Sequence, residues 1–196
     1  MLKPTLILDC DGVLLNWADG FMAWCKRYKK LTPNDNYPSV YNVARWFDIS
    51  QVAGNRLVED FNGSRSFGKL NPMPTVAAGL ERIKDAGFRT HVITCAGPAV
   101  VCQPLRRANL ELHFPGMIDK LTCIPMSASK EAHLRVYDGS DYFFIEDHLM
   151  HAASALQFNV QPLLVHTPQN HGQRNPFQIP KFKTFEQAIA HVINNR

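Results

Sequence analysis

Two aspartates, Asp9 and Asp11, stand one residue apart at the end of the apolar run Leu6-Ile7-Leu8 and directly before Gly12. Like charges held that close repel, so their pairing needs a reason. Polar groups recur at the ends of two later apolar runs: Thr94 after Thr90 to Ile93, and Glu146-Asp147 after Tyr142 to Ile145. Lys130 lies in the loop-rich stretch before the second of these runs. If these groups meet, four carboxylates share one space, which raises their pKa values or drives the site apart. A hard divalent cation removes the conflict. Oxygen donors without a His or Cys partner point to Mg²⁺, which keeps waters and binds substrate phosphate. The Thr94 hydroxyl and the Lys130 ammonium would then hold the remaining phosphate oxygens. This is equipment for phosphoryl transfer, in which positioning and charge neutralisation do most of the catalysis.

Two aspartates also allow a division of labour. One can attack phosphorus to form an aspartyl-phosphate. The other can protonate the leaving oxygen and later deprotonate the attacking water. Gly12 lets the chain turn sharply after them.

Such groups meet only if the fold brings strand ends together. The runs Leu6–Leu8, Thr90–Ile93, Tyr142–Ile145 and Pro162–Val165 read as strands buried on both faces. Helical patterns lie between them: 75–87 with Gly87 as its stop, 99–114 with Pro104 inside it, 148–159, and 184–195 capped by Thr184. This alternation predicts an α/β fold, a Rossmann-like parallel sheet with helices on both faces. In such sheets ligands bind at the carboxyl ends of the strands.

The stretch from Ala18 to Met73 breaks the rhythm. Residues 18–30 form an amphipathic helical pattern with Phe21, Trp24, Cys25 and Tyr28 near one face, 31–40 reads as loop, and 50–61 is helical again with Ser50 as its cap. A small helical unit therefore follows the first strand. The expected organisation is a core from 1–16 and 74–196 with a helical cap from 17–73.

Composition narrows the classes. Of 196 residues, 45% are hydrophobic and 19% charged, which suits a packed core rather than disorder. The net charge of +4 is scattered, and its one dense run, Lys26 to Lys30, reads as a solvated helix end, so no polymeric nucleic acid partner is expected. No apolar run is long enough to span a bilayer, and the N-terminus does not read as a signal peptide. Five widely spaced cysteines without a CxxC pair fit a reduced, cytoplasmic protein and disfavour zinc. Cys10 and Cys95 flank the proposed site and read as small fillers. His148, His151, His166 and His171 are too scattered to read as ligands.

Asp9-Cys10-Asp11-Gly12-Val13, Thr94, Lys130 and Glu146-Asp147, in that order, resemble the four motifs of the haloacid dehalogenase (HAD) superfamily of phosphatases. The resemblance covers nearly the whole chain. It implies that Asp9 is the nucleophile and Asp11 the general acid/base. Asp9, Asp11 through its carbonyl, and Asp147 with Glu146 would bind Mg²⁺; Thr94, Cys95 and Lys130 would bind phosphate. Within the superfamily the chain is most similar to the 5'(3')-deoxyribonucleotidases, in Leu8 to Trp17, in Phe61 to Ile83 and in Tyr142 to His148. It departs from them in having Glu146 where they pair two aspartates, and Cys95-Ala96-Gly97-Pro98 after Thr94. Cap aromatics hold the nucleoside in those enzymes. The candidates here are Phe21, Trp46 and Phe47, the last two within Ala44 to Asp48, while Trp17, Trp24 and Tyr28 read as cap core. The resemblance thus implies Mg²⁺-dependent hydrolysis of a small phosphorylated metabolite, preferentially a nucleoside monophosphate, by a monomer or homodimer. The alternatives are a sugar phosphate or similar substrate, a phosphomutase, and a non-enzymatic nucleotide-binding relative.

Overall fold

The structure, a computed structural model, describes residues 3–138 and 142–196, so residues 1, 2 and 139–141 of the expected core lie outside it. Among the described residues six parallel strands form the sheet: β1 (Thr5–Leu8), β2 (Arg89–Cys95), β3 (Lys120–Ile124), β4 (Phe143–Glu146), β5 (Gln161–Val165) and β6 (Lys181–Phe182). Their order is β3-β2-β1-β4-β5-β6. β1 is central, with Leu8 level with Val92 on one side and Ile145 on the other. From β1 the chain builds outward in one direction through β2 and β3 and in the other through β4 to β6. Strand order therefore reverses at β1, and a crevice opens at its carboxyl end.

β1 is apolar throughout because both faces are covered. Leu6 and Leu8 join one hydrophobic cluster, while Ile7 packs on the opposite face with Ile93, Phe144, Leu134 and Phe158. β3 and β6 were not expected from the sequence. Both are sheet edges carrying polar residues, so neither shows a continuous apolar run.

Among the described residues there are eight α-helices: α1 (Trp17–Trp24), α2 (Val43–Phe47), α3 (Gln51–Asn62), α4 (Val76–Asp85), α5 (Ala99–His113), α6 (Glu131–Leu134), α7 (Leu149–Ser154) and α8 (Phe185–Asn194). Ser50 and Thr184 cap α3 and α8 as expected, accepting from Ala53 N and Gln187 N at 3.2 Å each. Gly87, at φ +81°, ends the α4 segment. α5 runs through Pro104, which lies on the exposed face together with Val100, one turn earlier. α2 lies just after the stretch expected to be loop. No helix among the described residues is long and apolar enough to cross a membrane.

The helical unit after β1 enters and leaves at one place. Asn16 N donates to Asn71 O and Met73 N to Leu14 O, each at 2.9 Å. Trp17 stacks on Phe21 with ring centroids 4.7 Å apart, and Phe61 meets both rings edge-on. Polar anchors tie this unit to the sheet layer. Asn62 accepts from Trp17 Nε1 at 2.9 Å and donates to Ala96 O at 2.8 Å. Asn109 on α5 bonds both the amide and the carbonyl of Leu70 at 2.9 Å. Phe21, Trp46, Phe61 and Phe67 belong to the same cluster as Leu8 and Val92, so one hydrophobic core runs from the helical unit into the sheet.

On the opposite face β2 buries His91, whose ring nitrogens meet Tyr137 Oη and, at 2.8 Å, Thr122 Oγ1. Burial, with Lys120 nearby, lowers its pKa to about 4 from an ordinary value near 6.5. The unfolded chain therefore takes up a proton that the folded chain refuses. His91 contributes stability in full above about pH 6.5, and loses it as the pH falls towards about 4. His91→Gln is expected to flatten this acid limb in urea titrations followed from pH 7 to pH 4.

Candidate active site

β1 ends at Leu8, and Asp9 N donates to Ile145 O at 2.9 Å, extending the β1–β4 contact by one residue. The chain then folds back, with Leu14 N and Leu15 N both donating to Cys10 O. Gly12 takes φ +81° in this turn, and a Cβ there would lie 2.5 Å from Asp147 Oδ2. Glycine is required twice over: by the backbone angle, and by the close approach of Asp147 from β4.

The turn delivers Asp9 to Lys130 and the end of β4. Lys130 stands at the N-cap of α6, not in an open loop, and is 2% exposed. Its Nζ donates to Asp9 Oδ1 and, at 2.6 Å, to Glu146 Oε2. Glu146 is the last residue of β4 rather than a residue beyond it, and its Oε1 accepts from the amides of Asp147 and His148 at 3.2 and 3.1 Å. Asp9, Glu146 and Asp147 are all buried, and each offers an oxygen within 4.8 Å of the others. Asp11 stands apart from this trio. Both its carboxylate oxygens accept from Arg106 Nη2, at 2.7 and 2.8 Å.

The electrostatics follow from burial. Removal from water, then Glu146, pushes Asp9 up to about 7, against the pull of Lys130. Burial and the neighbouring Glu146 and Asp9 push Asp147 well above the usual carboxylate range. Burial also opposes ionisation of Glu146, but Lys130 outweighs it and holds Glu146 low. Lys130 in turn is held charged by Asp9 and Glu146 despite its own burial. Burial lowers His151 to about 4 and lowers His148 as well, so both rings are neutral near pH 7. Four carboxylates thus face two fixed cations, Lys130 and Arg106, leaving two negative charges without a partner when all four are ionised. An all-oxygen trio carrying that deficit fits a hard divalent ion such as Mg²⁺.

Above the trio is a cavity of about 290 Å³. Thr94 and Cys95 border it beside the carboxylates. Thr94 is 1% exposed, and burial raises the Cys95 thiol to about 11, so it is neutral. Of the three aromatics expected to hold substrate, Trp46 lines the cavity. Phe21 is fully buried against Trp17 and Phe61, and Phe47 packs on Phe21; neither reaches the cavity wall, which corrects the expectation of contact there. Trp17, expected to be cap core, does line it.

Tyr41, His148, His151 and Arg106 were missed. Tyr41 donates to Asp147 O at 2.7 Å and packs on the His148 ring at 4.5 Å. It comes from a loop, where no periodicity marks a residue. His148 and His151 line the cavity because α7 starts directly after Asp147, and that adjacency was the available signal. The signal for Arg106 was a charge on the apolar stripe of α5, in step with Cys102, Asn109 and Leu110.

Gly12→Ala tests the close approach at the site. It is expected to destabilise the protein by about 1–3 kcal/mol through the left-handed angle alone. It should also shift Asp147 and remove any Mg²⁺-induced rise in melting temperature, read by thermal melts with and without the ion.

Comparison with known proteins bears on the fold. No family model matches the chain. It is 24% identical, over 137 residues, to an uncharacterized 32.4 kDa protein of Enterobacteria phage T4; the match takes in 66% of this chain and 48% of that protein, about half its length. Solved structures align along almost the whole chain. A haloacid dehalogenase-like family hydrolase from Streptococcus pneumoniae has a TM-score of 0.70 and 13% identity over 97% of this chain and 98% of that one. A predicted phosphatase from Clostridium acetobutylicum has a TM-score of 0.69 and 16% identity over 99% and 100%. The D,D-heptose 1,7-bisphosphate phosphatase from B. bronchiseptica, complexed with magnesium and phosphate, has a TM-score of 0.57 and 12% identity over 99% and 100%. At these identities it is the architecture that is shared: this chain has the haloacid dehalogenase-like fold.

Proposed function

We propose that the protein is a Mg²⁺-dependent phosphomonoester hydrolase working through an aspartyl-phosphate on Asp9. One observation carries this reading. At the reversal point of the sheet, Asp9, Glu146 and Asp147 converge around the buried Lys130 with two negative charges uncompensated. The magnesium and phosphate held by the heptose bisphosphate phosphatase of the same fold agree with it.

Asp9, Glu146 and Asp147 would hold the metal, with the Asp11 carbonyl as a further donor. When bound, Mg²⁺ neutralises phosphate charge and so lets a carboxylate approach phosphorus. Thr94 and Lys130, with Cys95 beside them, receive the phosphoryl oxygens. A carboxylate oxygen of Asp9 attacks phosphorus; the ester P–O bond breaks, and the leaving oxygen takes a proton from Asp11. Water then attacks phosphorus and gives its proton to Asp11. The bond between phosphorus and the Asp9 oxygen breaks, inorganic phosphate leaves, and Asp9 and Asp11 return to their starting states.

Residues 17–73 act as the cap. The substrate is a small phosphorylated metabolite, because the cavity of about 290 Å³ is bounded by the helical unit. Trp17, Trp46 and Tyr41 give its wall aromatic character suited to the base of a nucleoside monophosphate. A phosphorylated sugar is the second reading, supported by the heptose bisphosphate phosphatase with this fold.

A panel of p-nitrophenyl phosphate, nucleoside monophosphates and sugar phosphates, assayed with Mg²⁺ and with EDTA, tests the proposal. Turnover that requires Mg²⁺ and is greatest on a nucleotide is expected. Silence across the panel with metal present would leave a binding protein instead. Asp9→Asn should abolish turnover on every ester without lowering the melting temperature. Asp11→Asn should lower kcat/KM on alkyl esters by about 10²–10⁴-fold, and much less on p-nitrophenyl phosphate, whose leaving group needs little protonation. Mg²⁺ should raise the melting temperature of the wild type but not of Asp147→Asn, a readout independent of turnover.

A further inference from the structure

Arg106 is the largest fully buried charged side chain among the described residues, and the proposed chemistry leaves it unused. It is 0% exposed, on the inner stripe of α5. One face of its guanidinium lies 3.9 Å from the Phe67 ring centroid, and Nη2 donates to both oxygens of Asp11. Its Nε and Nη1 are buried without a hydrogen-bond partner. Such a group is costly. An apolar side chain of similar volume would spare the desolvation of a cation and two idle donors, and replacements of this kind are often neutral or stabilising. Packing alone therefore does not account for an arginine here.

What the guanidinium does is hold Asp11. The Asp11 side chain is 23% exposed and lines the cavity, whereas Arg106 lies wholly behind it. Among the described residues, Arg106 is the sole hydrogen-bond donor to that carboxylate. Asp9, by contrast, is gripped by Lys130 within the acidic trio. Phe67, on the helical unit, covers the other side of the guanidinium and restricts its movement.

We infer that Arg106 is a positioning residue which fixes the Asp11 carboxylate against the oxygen of the departing alcohol. It acts through Asp11, stays protonated throughout and touches no reacting atom. The inference rests on the acid/base role given to Asp11 above. A carboxylate released from its anchor still meets the substrate, but in a spread of directions, and misplacement by about 1 Å costs on the order of 10²-fold in rate.

The test compares two leaving groups. Values of kcat/KM, which report events up to departure of the alcohol, are measured on p-nitrophenyl phosphate and on the best alkyl phosphate of the panel. Wild type, Arg106→Met and Arg106→Lys are compared, with thermal melts and inhibition by inorganic phosphate alongside. Arg106→Met is expected to lose about 10²-fold on the alkyl ester and less than about tenfold on the aryl ester. Its phosphate inhibition constant should stay within about twofold, while Arg106→Lys, which keeps one charged donor, recovers part of the alkyl activity. Equal losses on both esters, or weakened phosphate binding that tracks the loss, would overturn the inference. If Arg106→Met does not fold, Arg106→Lys decides by the same comparison: a loss confined to the alkyl ester supports the role, and an equal loss overturns it. A wild type inactive on both esters removes the role of Asp11 itself and this inference with it. An active wild type whose variants show no leaving-group difference removes the inference alone.

Discussion

The interaction on which the site depends is the grip of one buried ammonium on two carboxylates from adjacent strands. Lys130 spans Asp9, just beyond β1, and Glu146, at the end of β4. In a buried setting each charge is costly alone, and together they are two positive charges short of balance once Asp147 is counted and all three carboxylates are ionised. The imbalance is useful because it is localised. Glu146 spends its oxygens on Lys130 and on two backbone amides, so it stays ionised and fixed. Within the trio, Asp9 and Asp147 carry the raised pKa values and are the groups that a metal would settle.

The rest of the fold follows from bringing these groups together. Parallel strands end on the same side, and the reversal at β1 opens the crevice into which both strand ends project. Each supporting element then has a specific duty. Gly12 admits Asp147 at a distance no other residue allows. The Asp147 carbonyl is pinned by Tyr41 and by Asn170 Nδ2 at 2.8 Å, so a loop of the helical unit and the segment after β5 both orient a candidate ligand. α5 supplies Arg106 from behind.

What could be read from the sequence divides along physical lines. β1, β2, β4 and β5 are buried on both faces, so runs such as Leu6-Ile7-Leu8 and Phe143-Phe144-Ile145 announce themselves. β3 begins with the exposed Lys120 and carries Thr122 towards His91, and edge strands of this kind leave no apolar run. The acidic groups were legible because strand ends are a fixed address for chemistry in parallel sheets. Arg106 and Tyr41 were not, since each takes its meaning from a partner about a hundred residues away: Asp11 for Arg106 and Asp147 for Tyr41. Phe21 and Phe47 show the opposite error. Aromatic character suggested a ligand wall, but in this helical unit most rings serve to pack one another.

The shared core has a consequence for access to the cavity. Because Phe61, Phe67 and Trp46 are continuous with the sheet-facing cluster, hinging the whole unit away would wet several large rings at once. At about 25 cal/mol per Å² of apolar surface, exposing a few hundred Å² costs several kcal/mol, and such an open form would be rare. The segment from Leu31 to Asn42 has no helix or strand of its own, yet it places Pro38 and Tyr41 at the cavity. That part of the cavity wall therefore depends on one short stretch of chain, held in place by Tyr37 on Asp19 and Trp46 and by Tyr41 on the Asp147 carbonyl, while the aromatic body stays seated.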